Sequence, residues 1–91
     1  RLNRYPEVKR FIFDDIPLFH NVEFKSVPGA SPNLYFLNAQ DEKVETVDLT
    51  QLDREGCNQL LIRKGFFKRN NPGDGVPPQF KDGPYGEHVE L

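Results

Sequence analysis

The composition of the chain changes sharply after Gly65, and this change limits what its 91 residues can fold into. Residues 70–91 hold four prolines and four glycines and show no apolar periodicity. Such a segment buries too little apolar surface to offset the entropy of ordering it, so we predict an extended or disordered C-terminal tail. Residues 1–69 then form one small domain with a single modest core.

The composition also excludes several classes of protein. No stretch approaches the roughly 18 consecutive apolar residues of a membrane span, and no signal peptide opens the chain. The 12 lysines and arginines against 14 aspartates and glutamates give a net charge of -2, which argues against nucleic acid as a partner. We therefore expect a soluble domain without membrane insertion. Methionine is absent, also at position 1, which indicates a processed or trimmed chain.

Apolar spacing predicts the order helix, strand, strand, strand, helix, tail. The first helix begins at Pro6, which suits a first helical turn, and ends near Asp15, because Pro17 disfavours helical geometry in the residue before it. One apolar stripe with three- and four-residue spacing runs along this helix. Its members are Tyr5, Val8, Phe11, Ile12 and Ile16.

Three strands are predicted in the middle of the chain. Residues 22–27 alternate, with Val22 and Phe24 on the inner face. Residues 33–37 are apolar on both faces, which is typical of a strand inside a sheet. Residues 44–49 alternate again and form a hairpin with the preceding strand.

The second helix is predicted between Thr50 and Gly65. Thr50 serves as the N-cap with Asp53 three residues later, and Gly65 lies just past the C-terminal end. Gly56 within the helix costs about 1 kcal/mol relative to alanine, which indicates close packing against a neighbour. The inward face consists of Leu52, Cys57, Leu60 and Leu61.

Few residues are candidates for chemistry. Cys57 has no second cysteine and no histidine nearby, so we interpret it as a small buried hydrophobe rather than a catalytic thiol. The pair Asp14–Asp15 suits a cation or a substrate contact, but a solvated helix end is the favoured interpretation. One cysteine and two histidines exclude an internal disulfide and show no metal-ligand spacing, so neither a metal nor a cofactor is expected.

Two features are more specific. Pro32 stands directly before the inner strand, where a cis Ser31–Pro32 bond would present backbone groups to a ligand, although only about 5% of such bonds are cis. The chain ends in His88-Val89-Glu90-Leu91, which is close to the Lys-Asp-Glu-Leu and His-Asp-Glu-Leu signals that a retrieval receptor reads in the secretory pathway. Val89 stands where the usual signal has aspartate.

Short motifs at consistent spacing run along nearly the whole chain. They are Leu2-Asn3-Arg4, Glu7-Val8-Lys9, Phe11, Asp15-Ile16-Pro17, His20-Asn21, Pro28-Gly29-Ala30, Pro32, Leu34, Leu49, Gly65-Phe66, Val76-Pro77-Pro78 and the terminal histidine and leucine. In these residues the chain resembles the selenoprotein M family, which consists of thioredoxin-like selenoproteins. The 15 kDa selenoprotein is a more distant member of this family and lacks the C-terminal tail.

The resemblance implies a thioredoxin-like α/β domain of the endoplasmic reticulum lumen. It implies thiol–disulfide exchange with client proteins of the secretory pathway, and an influence on luminal calcium handling. The family's Cys-x-x-Sec motif ends immediately before the position matched by Arg1, so no catalytic residue is assigned within the chain, which by itself cannot run a dithiol cycle. Ser31 and Pro32 match the substrate-binding position opposite that motif, which favours a cis bond there.

The resemblance also implies that the first strand of the fold is missing from a mixed sheet. That strand sits centrally, between residues 22–27 and 33–37. Either these two strands close up or another chain supplies the hydrogen bonds, so we predict unusual strand pairing or a homodimer.

The alternative is a non-catalytic module that binds a peptide or protein through the loop from Pro28 to Pro32 or through an exposed strand edge. The basic residues Arg1, Arg4, Lys9 and Arg10 suit such binding, although a solvated helix face explains them as well. A Cys-x-x-Sec or Cys-x-x-Cys motif upstream in the parent gene favours the enzyme.

Overall fold

The structure is a computed structural model that describes residues 4–25 and 31–80 together with the backbone of residues 89–90. Its regular elements are helix α1 (Pro6–Arg10), strands β1 (Val22–Glu23), β2 (Asn33–Leu37) and β3 (Lys43–Asp48), helix α2 (Arg54–Arg63) and strand β4 (Val89–Glu90). A π-helical turn (Phe11–Asp15) and a 3₁₀ turn (Ile16–Leu18) continue α1, and further 3₁₀ turns cover Leu49–Gln51 and Pro78–Phe80.

The first helical segment starts at Pro6, as the sequence predicts, and its geometry widens from α to π after Arg10. The predicted end near Asp15 is wrong, because Ile16, the residue before Pro17, has helical angles (φ -54°, ψ -40°) and a 3₁₀ turn continues to Leu18. The predicted apolar stripe is confirmed: four members are buried and the fifth, Tyr5, is half-buried against the core. These residues pack with apolar side chains of β1, β2 and α2 into one hydrophobic core.

The strands form one mixed sheet in the order β1-β4-β2-β3. The predicted hairpin is confirmed, since β2 and β3 pair antiparallel with Asn33 opposite Asp48 and Leu34 opposite Val47. β2 lies inside the sheet, as its apolar residues predict, and Leu34 and Phe36 are fully buried. Helices beside a mixed sheet give the thioredoxin-like α/β class that the family resemblance implies.

The first predicted strand is shorter than expected. β1 covers only Val22 and Glu23, and residues 26–27 lie outside the described residues. The prediction that Phe24 faces the core is wrong, because its side chain is 38% exposed. Phe24 instead packs edge-on against Phe13, another exposed ring, at 6.0 Å between ring centroids. The two rings cover each other on the surface.

The central position of the sheet is filled by the end of the chain. β4 pairs parallel with β1 and antiparallel with β2. β1 and β2 have therefore not closed up, because β4 lies between them, which is the unusual strand pairing that we predict. The homodimer stays a prediction. Within the tail, residues 70–80 contain turns and one 3₁₀ turn, while residues 81–88, where disorder is predicted, lie outside the described residues.

The N-cap of α2 differs from the prediction. Asp53 is the cap, with its carboxylate accepting a hydrogen bond from the Gly56 backbone N–H at 2.7 Å. Thr50 lies in the preceding 3₁₀ turn, because Asp48 accepts from both its N–H and its hydroxyl. The close packing expected at Gly56 is confirmed, since an added Cβ would lie 3.0 Å from the Asp53 carboxylate.

The C-terminal end of α2 is as predicted. Lys64 is the last residue with helical geometry, and Gly65 follows with φ 98°, a left-handed conformation that glycine adopts without strain. Among the described residues, neither helix has the length and apolar character needed to cross a membrane.

Candidate functional site

An open cleft of about 260 Å³ lies at the start of the first helix. One wall is formed by residues 4–8, which lead into α1, and the other by residues 50–53, which lead into α2. The start of both helices therefore borders the same cleft.

One hydrogen bond ties the two walls of the cleft together. The Glu7 carboxylate accepts from the backbone N–H of Arg54 at 3.2 Å, so the first turn of α1 satisfies a free donor at the start of α2. The cleft carries acidic groups on Glu7 and Asp53 and a basic group on Arg4, which is exposed. None of the residues that line the cleft carries a thiol.

Cys57 lies behind this cleft in the core. The thiol is fully buried, one turn into α2. Burial raises the pKa of Cys57 to about 11, and the negative charges of Asp53, Asp15 and Glu7 act in the same direction. At neutral pH the group is a neutral thiol, which is a poor nucleophile. The structure thus supports the sequence interpretation of Cys57 as a buried hydrophobe.

Asp15 forms a buried ionic cluster that the sequence did not indicate. Arg54 donates two hydrogen bonds to its carboxylate, from Nε at 2.7 Å and from Nη2 at 3.0 Å. Asn58 donates a third at 2.8 Å, and the Lys68 ammonium lies 3.4 Å away. Burial acts to raise the pKa of Asp15, but the hydrogen bonds and the two positive charges outweigh it and lower the pKa to about 2.

This cluster joins the end of the first helical segment to α2 and to the segment after it. The interpretation of residue 15 as part of a solvated helix end is therefore wrong, whereas its neighbour Asp14 is exposed. All three partners of Asp15 are basic or amide groups of the protein itself, so the arrangement is structural. In the described ranges, no three histidine, cysteine, aspartate or glutamate side chains are grouped to hold a metal ion.

Ser31 and Pro32 lie at the entry to β2 and are not among the residues that line the cleft. The cis bond expected between them is absent, because the described residues contain only trans peptide bonds. Pro32 is buried, and its carbonyl accepts from the backbone N–H of Leu49 at 3.0 Å. Its backbone acceptor is thus used within the hairpin and is not presented to a ligand.

The remaining predicted site residues are only partly described. Val89 and Glu90 of the retrieval-like terminus form β4, while His88 and Leu91 lie outside the described residues. Arg1 and the loop residues 28–30 also lie outside them. Of the basic residues, Arg4, Lys9 and Arg10 are exposed beside or on α1. This exposure agrees both with binding of a partner and with a solvated helix face.

Comparison with known proteins gives consistent matches. The family described as the Sep15/SelM redox domain matches residues 1–66. Selenoprotein M of Eriocheir sinensis is 48% identical over 91 residues, which is all of this chain and 70% of that protein. Selenoprotein M of Xenopus laevis is 42% identical over 92% of this chain, and that of Homo sapiens is 40% identical over 88%. The alignments span 62% and 55% of those two proteins.

Proposed function

The chain belongs to the Sep15/SelM redox domain family, and on that premise we propose that it is the scaffold and client-binding part of a thiol–disulfide oxidoreductase. Membership of this family supports a thioredoxin-like redox domain. The identity of the reacting pair, the client proteins and the cellular location are what we propose. The relatives are longer than this chain, which leaves room for a redox pair outside it.

The observation that carries the proposal is the cleft over residues 4–8. The family resemblance puts a Cys-x-x-Sec motif immediately before the position of Arg1, a few residues from this cleft. In the proposed step, the selenolate or a thiolate attacks one sulfur of a client disulfide and expels the other as a thiolate. The second group of the pair then attacks the mixed bond, which releases a reduced client and oxidises the pair.

Cys57 takes no part in this exchange. Its thiol is buried in the core and its raised pKa, about 11, keeps it protonated at neutral pH. A client disulfide cannot reach it without unfolding α2 from the core.

We place the protein in the endoplasmic reticulum lumen, through recognition of its terminal tetrapeptide by a retrieval receptor. The clients are then secretory-pathway proteins, and exchange with clients that control calcium would give the influence on luminal calcium handling. Because Val89 and Glu90 pair in the sheet, receptor binding requires β4 to leave it. Replacing the tetrapeptide by four glycines should increase secretion of the natural polypeptide into the medium, and unchanged retention would exclude this signal.

The redox proposal is tested on the natural polypeptide that contains this chain. Intact mass spectrometry after thiol and selenol alkylation should find a Cys–Sec or Cys–Cys pair in addition to Cys57. The same polypeptide should catalyse reduction of insulin disulfides by dithiothreitol, with an equal rate in a Cys57→Ala variant. A polypeptide with Cys57 as its only alkylatable group, or an activity that depends on Cys57, would refute the proposal.

A further inference from the structure

Pairs of adjacent basic residues occur at three places in the chain. Lys9–Arg10 lies in α1, and Arg63–Lys64 lies at the C-terminal end of α2. Lys68–Arg69 follows α2 and belongs to no helix, and Lys68 forms an antiparallel β-bridge with Phe19. Proteins that grip a peptide by its main chain need it in an extended form, so this pair has the local backbone that a protease needs.

The segment that follows this pair is open to solvent. Residues 70–75 are exposed, and a Cβ added at Gly73 or Gly75 would meet no atom within 4 Å. Exposed turns of small and polar residues are the preferred places for proteolytic cleavage. The family match ends at residue 66, so a cut after Arg69 would divide the chain between the domain and its tail.

Both side chains of the pair are held by the end of the first helical segment. The Lys68 ammonium lies 3.4 Å from the Asp15 carboxylate. The Arg69 guanidinium donates from Nε to the Leu18 carbonyl at 3.1 Å and from Nη2 to the Pro17 carbonyl at 2.9 Å. A protease that reads both basic side chains in its own pockets therefore cannot bind the pair until these contacts break.

Further contacts close residues 66–80, which we call the strap, against the domain. The Arg69 backbone N–H donates to the Leu18 carbonyl at 3.0 Å, and its Nη1 donates to the Asp74 carbonyl at 3.3 Å. The rings of Phe67 and Phe80 pack with their centroids 5.1 Å apart. Since these contacts are few and lie near the surface, the strap can open while the helices and the sheet stay folded.

We propose that Lys68–Arg69 is a processing site for a protease specific for Lys-Arg pairs, and that the closed strap protects it. Once the strap opens, water adds across the peptide bond between Arg69 and Asn70, which leaves a carboxylate on Arg69 and an amine on Asn70. The tail, with its retrieval-like terminus, is then no longer covalently joined to the domain. The consequence for retention rests on the proposed function, whereas the cleavage does not.

The test uses a kexin-type protease, which cleaves after Lys-Arg, on the folded 91-residue chain, and it needs neither a redox pair nor a retrieval receptor. Lys9–Arg10, the second Lys-Arg pair, is an internal reference within a helix. Without urea, mass spectrometry should find a cut after Arg69 and none after Arg10. Low urea concentrations should barely change the rate after Arg69 but should steeply raise the rate after Arg10, because only the second cut requires global unfolding.

Three variants assign the cut to opening of the strap. Phe80→Ala removes the ring contact without changing the cleaved pair and should raise the rate after Arg69 about fivefold. Phe24→Ala removes a ring contact on another surface and should leave that rate unchanged. Arg69→Ala should abolish the cut. No cut after Arg69, a urea dependence as steep as that after Arg10, or equal effects of the two phenylalanine variants would overturn the proposal.

Discussion

At the scale of single residues, Asp15 carries the clearest energetic consequence. Asp15→Asn is expected to lower the free energy of unfolding by about 2 kcal/mol at neutral pH, because the folded state holds the ionised carboxylate so well that its pKa falls from 3.8 to about 2. Urea unfolding measures this loss. Asp14→Asn is the matched control, since Asp14 is exposed, and its effect should stay within about 0.5 kcal/mol. Equal losses in the two variants would contradict a specific role for the buried carboxylate.

The same carboxylate makes the fold sensitive to acid. Its pKa is lower in the folded chain, about 2, than the ordinary 3.8, so its stabilising contribution is present above the ordinary value and is lost as the pH falls toward 2. The difference in unfolding free energy between the unmodified chain and Asp15→Asn should therefore shrink over this range. A series of urea titrations at decreasing pH follows it. If this difference in unfolding free energy stays constant down to about pH 2, the lower stability of Asp15→Asn comes from packing rather than from the charge of the carboxylate.

Cys57 is expected to resist alkylation in the folded chain. The thiolate is the reactive form, and both the burial of Cys57 and its pKa of about 11 keep that form rare. Iodoacetamide labelling in mildly alkaline buffer, followed by mass spectrometry, should modify Cys57 only after urea is added. A cysteine placed at an exposed position, Phe13→Cys on the Cys57→Ala background, should be labelled without urea. Rapid labelling of Cys57 in the folded chain would show that the core opens readily.

The two residues differ in what the sequence reveals about them. Cys57 follows the apolar spacing of its own helix, so local pattern alone predicts its burial. The environment of Asp15 is supplied by Arg54, Asn58 and Lys68, which lie 39 residues or more further along the chain. Because no local sequence pattern contains these contacts, the sequence predicts a solvated carboxylate at the end of the helix. The Ser31–Pro32 peptide bond is a third case. The family resemblance favours a cis bond there, whereas the bond is trans, as most bonds before proline are.

At the scale of elements, the start of α2 depends on one side chain. Asp53→Ala is expected to lower the free energy of unfolding by about 1 kcal/mol, because it removes the hydrogen bond to the Gly56 N–H. Glu55→Ala is a matched control, since this exposed carboxylate lies in the same first turn and has the same charge but does not cap. Its loss should be a few tenths of a kcal/mol. Thermal unfolding followed by circular dichroism compares the two, and similar losses would assign the effect to charge alone.

Element type was easier to predict than element boundaries. The helical stripe and the apolar run of β2 are long enough to identify a helix and an inner strand. The sequence predicts the start of α2 three residues too early, because both Thr50 and Asp53 have the chemistry of an N-cap. The choice between them depends on Asp48, whose carboxylate binds Thr50 and holds the preceding residues in a 3₁₀ turn. The predicted β1 is too long, because the alternation of apolar and polar residues continues into residues that pack on the surface rather than in the core.

At the scale of the whole molecule, the sheet shows where sequence reasoning reaches its limit. The family resemblance placed a missing strand between β1 and β2, and the structure has a strand at that position. Its source could not be predicted, because the tail is rich in proline and glycine and contains only a short run that can extend as a strand. Any extended segment can satisfy the free backbone groups of two neighbouring strands, so the sequences of β1 and β2 do not identify the segment that pairs between them.

We expect the tail to keep the chain monomeric. Deleting residues 88–91 removes β4 and leaves backbone groups of β1 and β2 unpaired, a geometry that templates pairing with another chain. Sedimentation velocity should show a dimer fraction that rises with concentration for the shortened chain and monomer for the full chain. If the shortened chain keeps its helical circular dichroism and stays monomeric at every concentration, the tail is not what keeps the chain monomeric.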